Sequence, residues 1–236
     1  MTRLERLFVW VGGGLFVGSL ALWGWWYVVW LSASRPWAGW GPVAFDTALF
    51  TLFAIHHSLF ARDTVKRWMS TIPRRLVRSV YVWIASALLI AVCVLWQPIG
   101  GDLYRPPSAG AVALALVQLF GVWVIGASVS LIDPLELAGI RTPDDTIDAG
   151  ATAARPSALQ IVGPYGWVRH PIYLGWMLVV FGAAHMTGDR LTFAVISSLY
   201  LIVAVPWEEK SLRQSFGAEY DRYKEQVHWR IVPYVY

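Results

Sequence analysis

Three long stretches without a charged side chain dominate this chain, at residues 8–31, 79–97 and 109–132. Each is close to or longer than the roughly 20 apolar residues that a helix needs to cross a bilayer. The whole chain is 57% hydrophobic and 14% charged, whereas about 25% of the residues of an ordinary soluble protein are charged. These runs therefore predict an all-α integral membrane protein.

Three further apolar runs are shorter or interrupted, at residues 43–60, 171–187 and 191–207. Only residues 188–190 separate the last two runs, which predicts a tight helical hairpin. We expect about six transmembrane helices in a single membrane domain. Its parts are four N-terminal spans within 1–132, a cytoplasmic loop at 133–170, and the hairpin with its tail at 171–236.

Apolar and aromatic side chains continue beyond the last run at three- and four-residue steps. They are Leu212, Phe216, Tyr220, Tyr223 and Val227. This period predicts a C-terminal amphipathic helix with one apolar face, which lies on the membrane or covers polar side chains. In contrast, residues 144–156 are small and polar, which indicates a mobile loop or lid.

The positive charges indicate how the chain is oriented. Cytoplasmic loops of membrane proteins are enriched in lysine and arginine. The loop after the second span carries six of these residues: Arg62, Lys66, Arg67, Arg74, Arg75 and Arg78. With this loop inside, six spans place both termini in the cytoplasm. We therefore expect a multi-pass protein of the bacterial inner membrane. Its cations fit contact with anionic lipids rather than nucleic acid, and no obligate protein partner is indicated.

Polar side chains are concentrated directly before and after the predicted hairpin. Arg169 and His170 precede Pro171, and proline suits the first turn of a helix. We expect these two side chains and the free amides of that turn to converge on an anion. Glu208 and Glu209 follow the partner helix, and two antiparallel helices of similar length would return them to the same level.

Together, the two ends of the hairpin describe a site for a small, zwitterionic, aromatic cation. The carboxylates suit an ammonium group or ribose hydroxyls, and Tyr165, Trp167 and Tyr173 offer ring faces for a purine or a sulfonium. Interfacial anchoring would explain each of these side chains singly. However, it does not require Gly163 and Gly175 at fixed offsets from them, so we favour a binding site.

The ordered pattern of residues 163–175, followed by the acidic pair and residues 212–227, resembles the membrane methyltransferases related to isoprenylcysteine carboxyl methyltransferase and phospholipid N-methyltransferase. This resemblance implies S-adenosylmethionine bound between the cytoplasmic ends of the hairpin and the tail, and a methyl acceptor reached from the lipid side. The cofactor-binding residues it implies are Gly163, Tyr165, Arg169, His170, Pro171, Tyr173, Gly175, Glu208 and Glu209.

The N-terminal half narrows the resemblance. Residues 54–62, 66–68, 78–81 and 133–141 are similar to those of bacterial methanethiol S-methyltransferases. That likeness implies methyl transfer to a small thiol, a reaction that depends on positioning and on a thiolate. The catalytic candidates are His57, Arg78 and Arg169. His57 would orient or deprotonate the acceptor, since its unperturbed pKa suits a base, and either arginine would stabilise the incoming anion.

Several alternatives stay open. An isoprenylcysteine or lipid acceptor is the first, although residues 197–206 lack the arginine by which isoprenylcysteine methyltransferases resemble one another. The region of His56 and His57 is also similar to NnrU-like proteins and zeta-carotene isomerase, which implies a haem with His185 as a possible second ligand. A scaffold with a degenerate pocket and a nicotinamide-dependent sterol reductase are the remaining classes. The methyltransferase interpretation predicts no metal site.

Overall fold

The computed structural model describes residues 2–60, 73–132, 138, 140 and 159–236. The predicted mobile loop at 144–156 and the cations Arg62, Lys66 and Arg67 lie outside the described residues. The chain divides into two compact units. The first contains the described residues of Met1–Ile99 with Ala138 and Ile140, and the second contains Gly100–Ile132 and the described residues of Arg155–Tyr236.

The first unit contains the helices α1 (Arg3–Trp25), α2 (Trp40–Phe60) and α3 (Arg74–Leu95). α1 begins with a reciprocal cap, in which the Thr2 hydroxyl accepts from the Glu5 amide at 3.2 Å and Glu5 Oε2 accepts from the Thr2 amide at 2.8 Å. This arrangement satisfies two backbone donors that a helix start leaves open. A π-helical turn, Trp26–Trp30, extends α1. Both α1 and α2 pack against α3.

Aromatic side chains join α1 to α3. The Phe8 and Trp83 rings stack with centroids 5.5 Å apart, and Trp83 Nε1 donates to the Phe8 carbonyl at 3.1 Å. A Cβ at Gly12 would lie 2.6 Å from Trp83 Nε1, so the indole fits because residue 12 has no side chain. At the other end of this helix pair, Trp26 meets Trp96 edge-on, with centroids 5.3 Å apart.

The second unit contains β1 (Asp102–Tyr104), α4 (Ser108–Val129), α5 (Pro171–Phe181), β2 (Met186–Thr187), α6 (Gly188–Phe216) and α7 (Ala218–Gln226). α5 packs against both α4 and α6. The backbones of α4 and α5 meet at Gly121 and Gly175, where a Cβ on either glycine would lie 2.7 Å from the other's carbonyl oxygen. Small residues permit such close helix crossings in membrane proteins.

The connection between α5 and α6 differs from the predicted loop at 188–190. β2 pairs antiparallel with β1, and this small sheet departs from the all-α prediction. Thr187 then caps α6 by accepting from the Arg190 amide at 3.2 Å. The buried Asp189 accepts from the Gly100 amide at 2.8 Å. Residues 188–190 form the first turn of α6 because the cap starts the helix and Asp189 fastens that turn.

Among the described residues, four helical segments are long and apolar enough to cross a membrane. They are Arg3–Trp30, Leu76–Leu95, Ser108–Val129 and Gly188–Phe216. The helical membrane class is therefore supported, together with four of the expected spans. α2 is not among the four, and α5 has only 11 residues, fewer than a span needs. The total of six spans stays a prediction.

The tail folds as two helices joined by a sharp turn. α6 continues past Pro206 to Phe216, and Gly217 adopts φ +54° before α7 begins. Glycine takes this left-handed conformation at little cost. The predicted apolar face is confirmed as a packing surface: Tyr220, Tyr223 and Val227 form a buried cluster, with Leu159, Leu212 and Phe216 packed against it. Its cytoplasmic location stays a prediction.

Candidate active site

The second unit brings the start of α5 and the acidic pair of α6 together. The Tyr173 hydroxyl donates to Glu208. His170 Nδ1 lies 3.4 Å from Glu208 Oε2, and its Nε2 lies 3.7 Å from Glu209 Oε1. The His170 and Tyr173 rings stack with centroids 5.4 Å apart. We call these four side chains the hairpin cluster.

Arg169 is buried beside this cluster and bonded to the protein itself. Its Nε and Nη2 lie 2.7 Å from Glu209 Oε1, and its Nη1 donates to the carbonyls of Val227 and His228, both at 2.7 Å. The Arg169 side chain is 5% exposed and that of Glu209 is 9% exposed. Hydrogen bonds to both partners are what a buried ion pair requires to offset its desolvation. Arg169 thus connects α6 and the tail to residues 163–175, which we call the motif.

The tail also pairs with the motif through its backbone. The Arg169 amide donates to the Trp229 carbonyl at 2.9 Å, and the His170 amide donates to the Arg230 carbonyl at 2.8 Å. Pro171, the next residue, has no amide hydrogen. The amides of residues 169 and 170, just before α5, are therefore occupied. In the first turn of α5, the amides of Tyr173 and Leu174 donate to the His170 carbonyl at 3.0 and 3.2 Å, and convergence of that turn on an anion stays a prediction.

The acidic pair dominates the electrostatics of His170. Burial alone would lower the pKa of His170, but the close contacts and negative charges of Glu208 and Glu209 outweigh burial and hold that pKa above its ordinary value of 6.5. Within the described residues, His170 Nε2 is buried without a hydrogen-bond partner. The Glu208 side chain is 43% exposed, so Glu208 is the accessible carboxylate of the cluster.

The other predicted aromatic residues occupy different surroundings. The carbonyl of Tyr165 accepts from the Tyr223 hydroxyl at 2.8 Å, and burial raises the pKa of Tyr165 to about 12. Trp167 is 46% exposed, and its ring is tilted against Trp123 with centroids 5.9 Å apart. The Tyr173 ring lies in the hairpin cluster itself, where it can present a face to a ligand.

Three residues of the motif shape its backbone. Gly163 has φ +60°, a conformation that favours glycine, and it opens the 3-10 turn Gly163–Gly166. Pro171 is the first residue of α5. Gly175 faces Gly121 across the α4 and α5 crossing. Each geometry has a structural reason of its own, so contact of these residues with a cofactor stays a prediction.

His57 and Arg78, the candidates for the acceptor side, lie in the first unit. The Tyr81 hydroxyl is 2.8 Å from His57 Nδ1 and donates to the His57 carbonyl at 3.3 Å. The His57 ring also stacks on Phe53, with centroids 5.6 Å apart. Arg78 precedes Tyr81 by three residues on α3 and shares its side of the helix. Sequence reasoning missed this histidine–tyrosine pair, because nothing in spacing joins residues of two different helices.

Arg230 was also missed. Its Nε lies 3.4 Å from Glu209 Oε2, and its Nη1 donates to the Tyr236 hydroxyl at 3.0 Å. The regular apolar spacing ends at Val227, and no period continues through the residues that follow. A single cation just beyond a patterned segment was the only signal available.

The residues proposed for a haem have other contacts. His185 Nε2 lies 2.8 Å from Asp102 Oδ1 in the second unit. In the first unit, the His56 ring stacks on the Tyr81 ring, with centroids 5.7 Å apart. No group of three His, Cys, Asp or Glu side chains placed to hold a metal ion occurs in the described part of the chain.

Known proteins resemble this chain over most of its length. The phospholipid methyltransferase family model matches residues 109–219. The methanethiol S-methyltransferase of Pseudomonas deceptionensis is 33% identical over 200 residues, which cover 82% of this chain and 74% of the relative. That of Mycobacterium tuberculosis is 32% identical over 193 residues, or 78% and 76% of the two chains. Nurim of Sus scrofa is 31% identical over 194 residues, or 78% and 73%.

No solved structure matches the chain significantly. The family model nevertheless spans the whole of α5 and α6, and so includes all four residues of the hairpin cluster. The identities with the two methanethiol S-methyltransferases exceed 30% over about three quarters of each relative. The chain therefore belongs to the family of membrane methyltransferases that includes the bacterial methanethiol S-methyltransferases.

Proposed function

We propose that this protein transfers a methyl group from S-adenosylmethionine to a small thiol such as methanethiol. The observation that carries the proposal is the hairpin cluster, found in a chain 33% identical to a methanethiol S-methyltransferase. The cluster supplies hydrogen-bonding and charged groups of the kind a zwitterionic nucleoside needs. The names of the relatives supply the acceptor.

The chemistry of the cluster fits the proposed cofactor. The accessible Glu208 carboxylate suits an ammonium group or ribose hydroxyls. His170 Nε2 is a buried ring nitrogen without a hydrogen-bond partner among the described residues, and the Tyr173 ring offers a face for a sulfonium. S-adenosylmethionine would supply a methyl group activated on a positively charged sulfur.

The cofactor-binding set we propose keeps all the residues that the sequence indicates. His170, Tyr173 and Glu208 would meet the cofactor most directly, because they form the accessible part of the cluster. The others would support them through backbone geometry and packing: Gly163, Tyr165, Arg169, Pro171, Gly175 and Glu209. Their contacts with the tail, with α4 and with one another support this division.

On the acceptor side, we propose that His57 orients or deprotonates the thiol. A thiolate is the reactive nucleophile, and histidine has an ordinary pKa suited to forming one. If the Tyr81 hydroxyl donates to the His57 carbonyl, it accepts from Nδ1–H, and Nε2 is then the accepting nitrogen. Arg169 is occupied by Glu209 and the tail, which leaves Arg78 as the candidate for stabilising the anion.

The same proposal includes the location. Four apolar helices support a membrane protein, and six crossings of a bacterial inner membrane would place both termini in the cytoplasm. The clustering of arginines between the second and third runs supports this orientation. Membrane lipid would then surround the helices and give apolar acceptors access to the site.

Two measurements on the detergent-purified protein test whether it is a methyltransferase or a haem protein. They are calorimetric titration with S-adenosylhomocysteine and an absorption spectrum. Saturable binding without a Soret band is expected. A Soret band without nucleoside binding would replace the proposal with the haem protein. His170→Ala should weaken S-adenosylhomocysteine binding, whereas His57→Ala should abolish turnover and leave that binding intact.

Methyl-labelled S-adenosylmethionine then identifies the acceptor. Labelled dimethyl sulfide from methanethiol is the expected product. Because the matching family model is named for phospholipid methyltransferase, phospholipid vesicles and a prenylcysteine are the competing acceptors to supply. Label that enters only the lipid or the prenylcysteine would keep the methyltransferase class and overturn the thiol assignment.

A further inference from the structure

We propose that Arg230 binds the α-carboxylate of the cofactor and that Arg169 is a positioning residue without contact to it. This inference rests on the proposed function, because it assumes that S-adenosylmethionine occupies the hairpin cluster. It concerns the amino-acid end of the cofactor, where an ammonium and a carboxylate lie side by side. Such an end requires a cation from the protein as well as a carboxylate.

The Arg169 guanidinium and the two amides just before α5 are already occupied. Three nitrogens of the Arg169 guanidinium contact Glu209 or the carbonyls of Val227 and His228. The residue is 7% exposed, so a ligand would have to break the buried ion pair to reach it. The amides of Arg169 and His170 donate to tail carbonyls.

Arg230 combines an ordered guanidinium with accessible donors. Its side chain is 36% exposed, and its Nε lies 3.4 Å from Glu209 Oε2. Nη1 donates to the Tyr236 hydroxyl at 3.0 Å, and the guanidinium carbon lies 5.1 Å from the centroid of that ring. Within the described residues, Nη2 makes no hydrogen bond. The contacts with Glu209 and Tyr236 hold the planar group at the edge of the cluster, and a preorganised guanidinium suits bidentate binding of a carboxylate.

The distribution of charge around Glu209 supports the same conclusion. Glu209 is buried and shared among Arg169, Arg230 and His170, so it neutralises part of the positive charge without offering itself to a ligand. Glu208 has a 43% exposed side chain and is available to the ammonium. The cluster thus presents one accessible carboxylate and one accessible guanidinium, which complement the two charges of an amino acid.

Two nucleosides separate carboxylate recognition from all other contacts. S-adenosylhomocysteine carries the amino-acid end complete, and its decarboxylated counterpart keeps the adenosine, the thioether and the amine. Calorimetry would measure the affinity of both ligands for the unaltered protein, Arg230→Gln and Arg230→Lys. Arg222→Gln, a change to an exposed arginine on α7, serves as the matched control. Thermal unfolding of each variant without ligand checks that it folds.

We expect Arg230→Gln to weaken S-adenosylhomocysteine binding by about 10- to 100-fold, the range for a hydrogen bond between charged groups. The decarboxylated counterpart should bind this variant and the unaltered protein alike, and Arg230→Lys should be intermediate. Equal loss for both ligands, or no loss for either, would overturn the assignment and leave the proposed function in place. If neither ligand bound the unaltered protein, the proposed function itself would fail.

Discussion

Arg169 Nε donates to Glu209 Oε1 at 2.7 Å across 40 residues of sequence, and Arg169 Nη2 lies 2.7 Å from the same oxygen. The ion pair joins the residue before His170 to the second residue of the acidic pair of α6, and both side chains are at least nine-tenths buried. His170 is thereby held opposite the two carboxylates. The precision of the hairpin cluster thus depends on an ion pair that lies behind it.

Replacing Arg169 with glutamine should destabilise the protein strongly. Removal of one member of a buried ion pair leaves the other charge uncompensated and costs about 3 to 5 kcal/mol. The expected result is a clear fall in the thermal unfolding midpoint in detergent. Arg169→Lys should recover only part of it, because lysine lacks the planar fork. Arg222→Gln is the control, and an equal fall in both glutamine variants would contradict the role of the buried pair.

The crossing of α4 and α5 predicts opposite effects for two glycine substitutions. Gly175→Ala would place a Cβ 2.7 Å from the Gly121 carbonyl oxygen, and overpacking of this kind costs about 1 to 3 kcal/mol. Gly126→Ala meets nothing within 4 Å, and alanine is favoured over glycine in a helix by up to about 1 kcal/mol. Thermal unfolding should therefore show a loss for the first variant and no loss for the second.

The raised pKa of His170 predicts that its contribution to the free energy of unfolding depends on pH. The pKa of His170 is raised in the folded protein by Glu208 and Glu209, so its protonated form stabilises the fold. This contribution is fully present below the ordinary pKa of 6.5 and is lost as the pH rises through the raised value. The difference in unfolding midpoint between the unaltered protein and His170→Gln should shrink towards alkaline pH. His228→Gln is the control, and a constant difference would contradict the prediction.

Tyr81→Phe tests whether the tyrosine positions His57. The substitution removes the hydroxyl 2.8 Å from Nδ1 and keeps the ring. One hydrogen bond is worth about 1 kcal/mol, so we expect kcat for thiol methylation to fall about fivefold, with a shift in its pH profile and unchanged S-adenosylhomocysteine affinity. Tyr234→Phe, which changes an exposed tyrosine, is the control. An unchanged kcat and pH profile would remove Tyr81 from the proposal.

The membrane-spanning helices were predictable because a bilayer imposes both length and polarity. The run at 109–132 corresponds to the helix Ser108–Val129, and the run at 79–97 to much of Arg74–Leu95. The β1 and β2 pair was not predictable, since strands of three and two residues have no usable period. Short elements of this kind depend on contacts between distant segments.

The hairpin cluster could be predicted from the sequence for a geometric reason. A chain that runs out and returns antiparallel comes back to the same level, which brings His170 near Glu208. The two helices are not of similar length, since α5 has 11 residues, and residues 182–187 supply the rest of the outward path. The contacts of Arg169 were not accessible in the same way, because the sequence does not reveal whether a guanidinium faces a ligand or a carbonyl of the chain. Arg230 was hidden for a related reason, since its position depends on the path of residues 227–230.

The tail contacts of Arg169 determine when, during synthesis of the chain, the site can fold. Arg169 leaves the ribosome 40 residues before Glu209 and 58 residues before the Val227 carbonyl that it binds. Until Glu209 and Val227 have been made, the Arg169 guanidinium lacks the partners that allow it to be buried. The helices of the first unit can insert while translation continues, but the site can close only after residues 227–230 have been made.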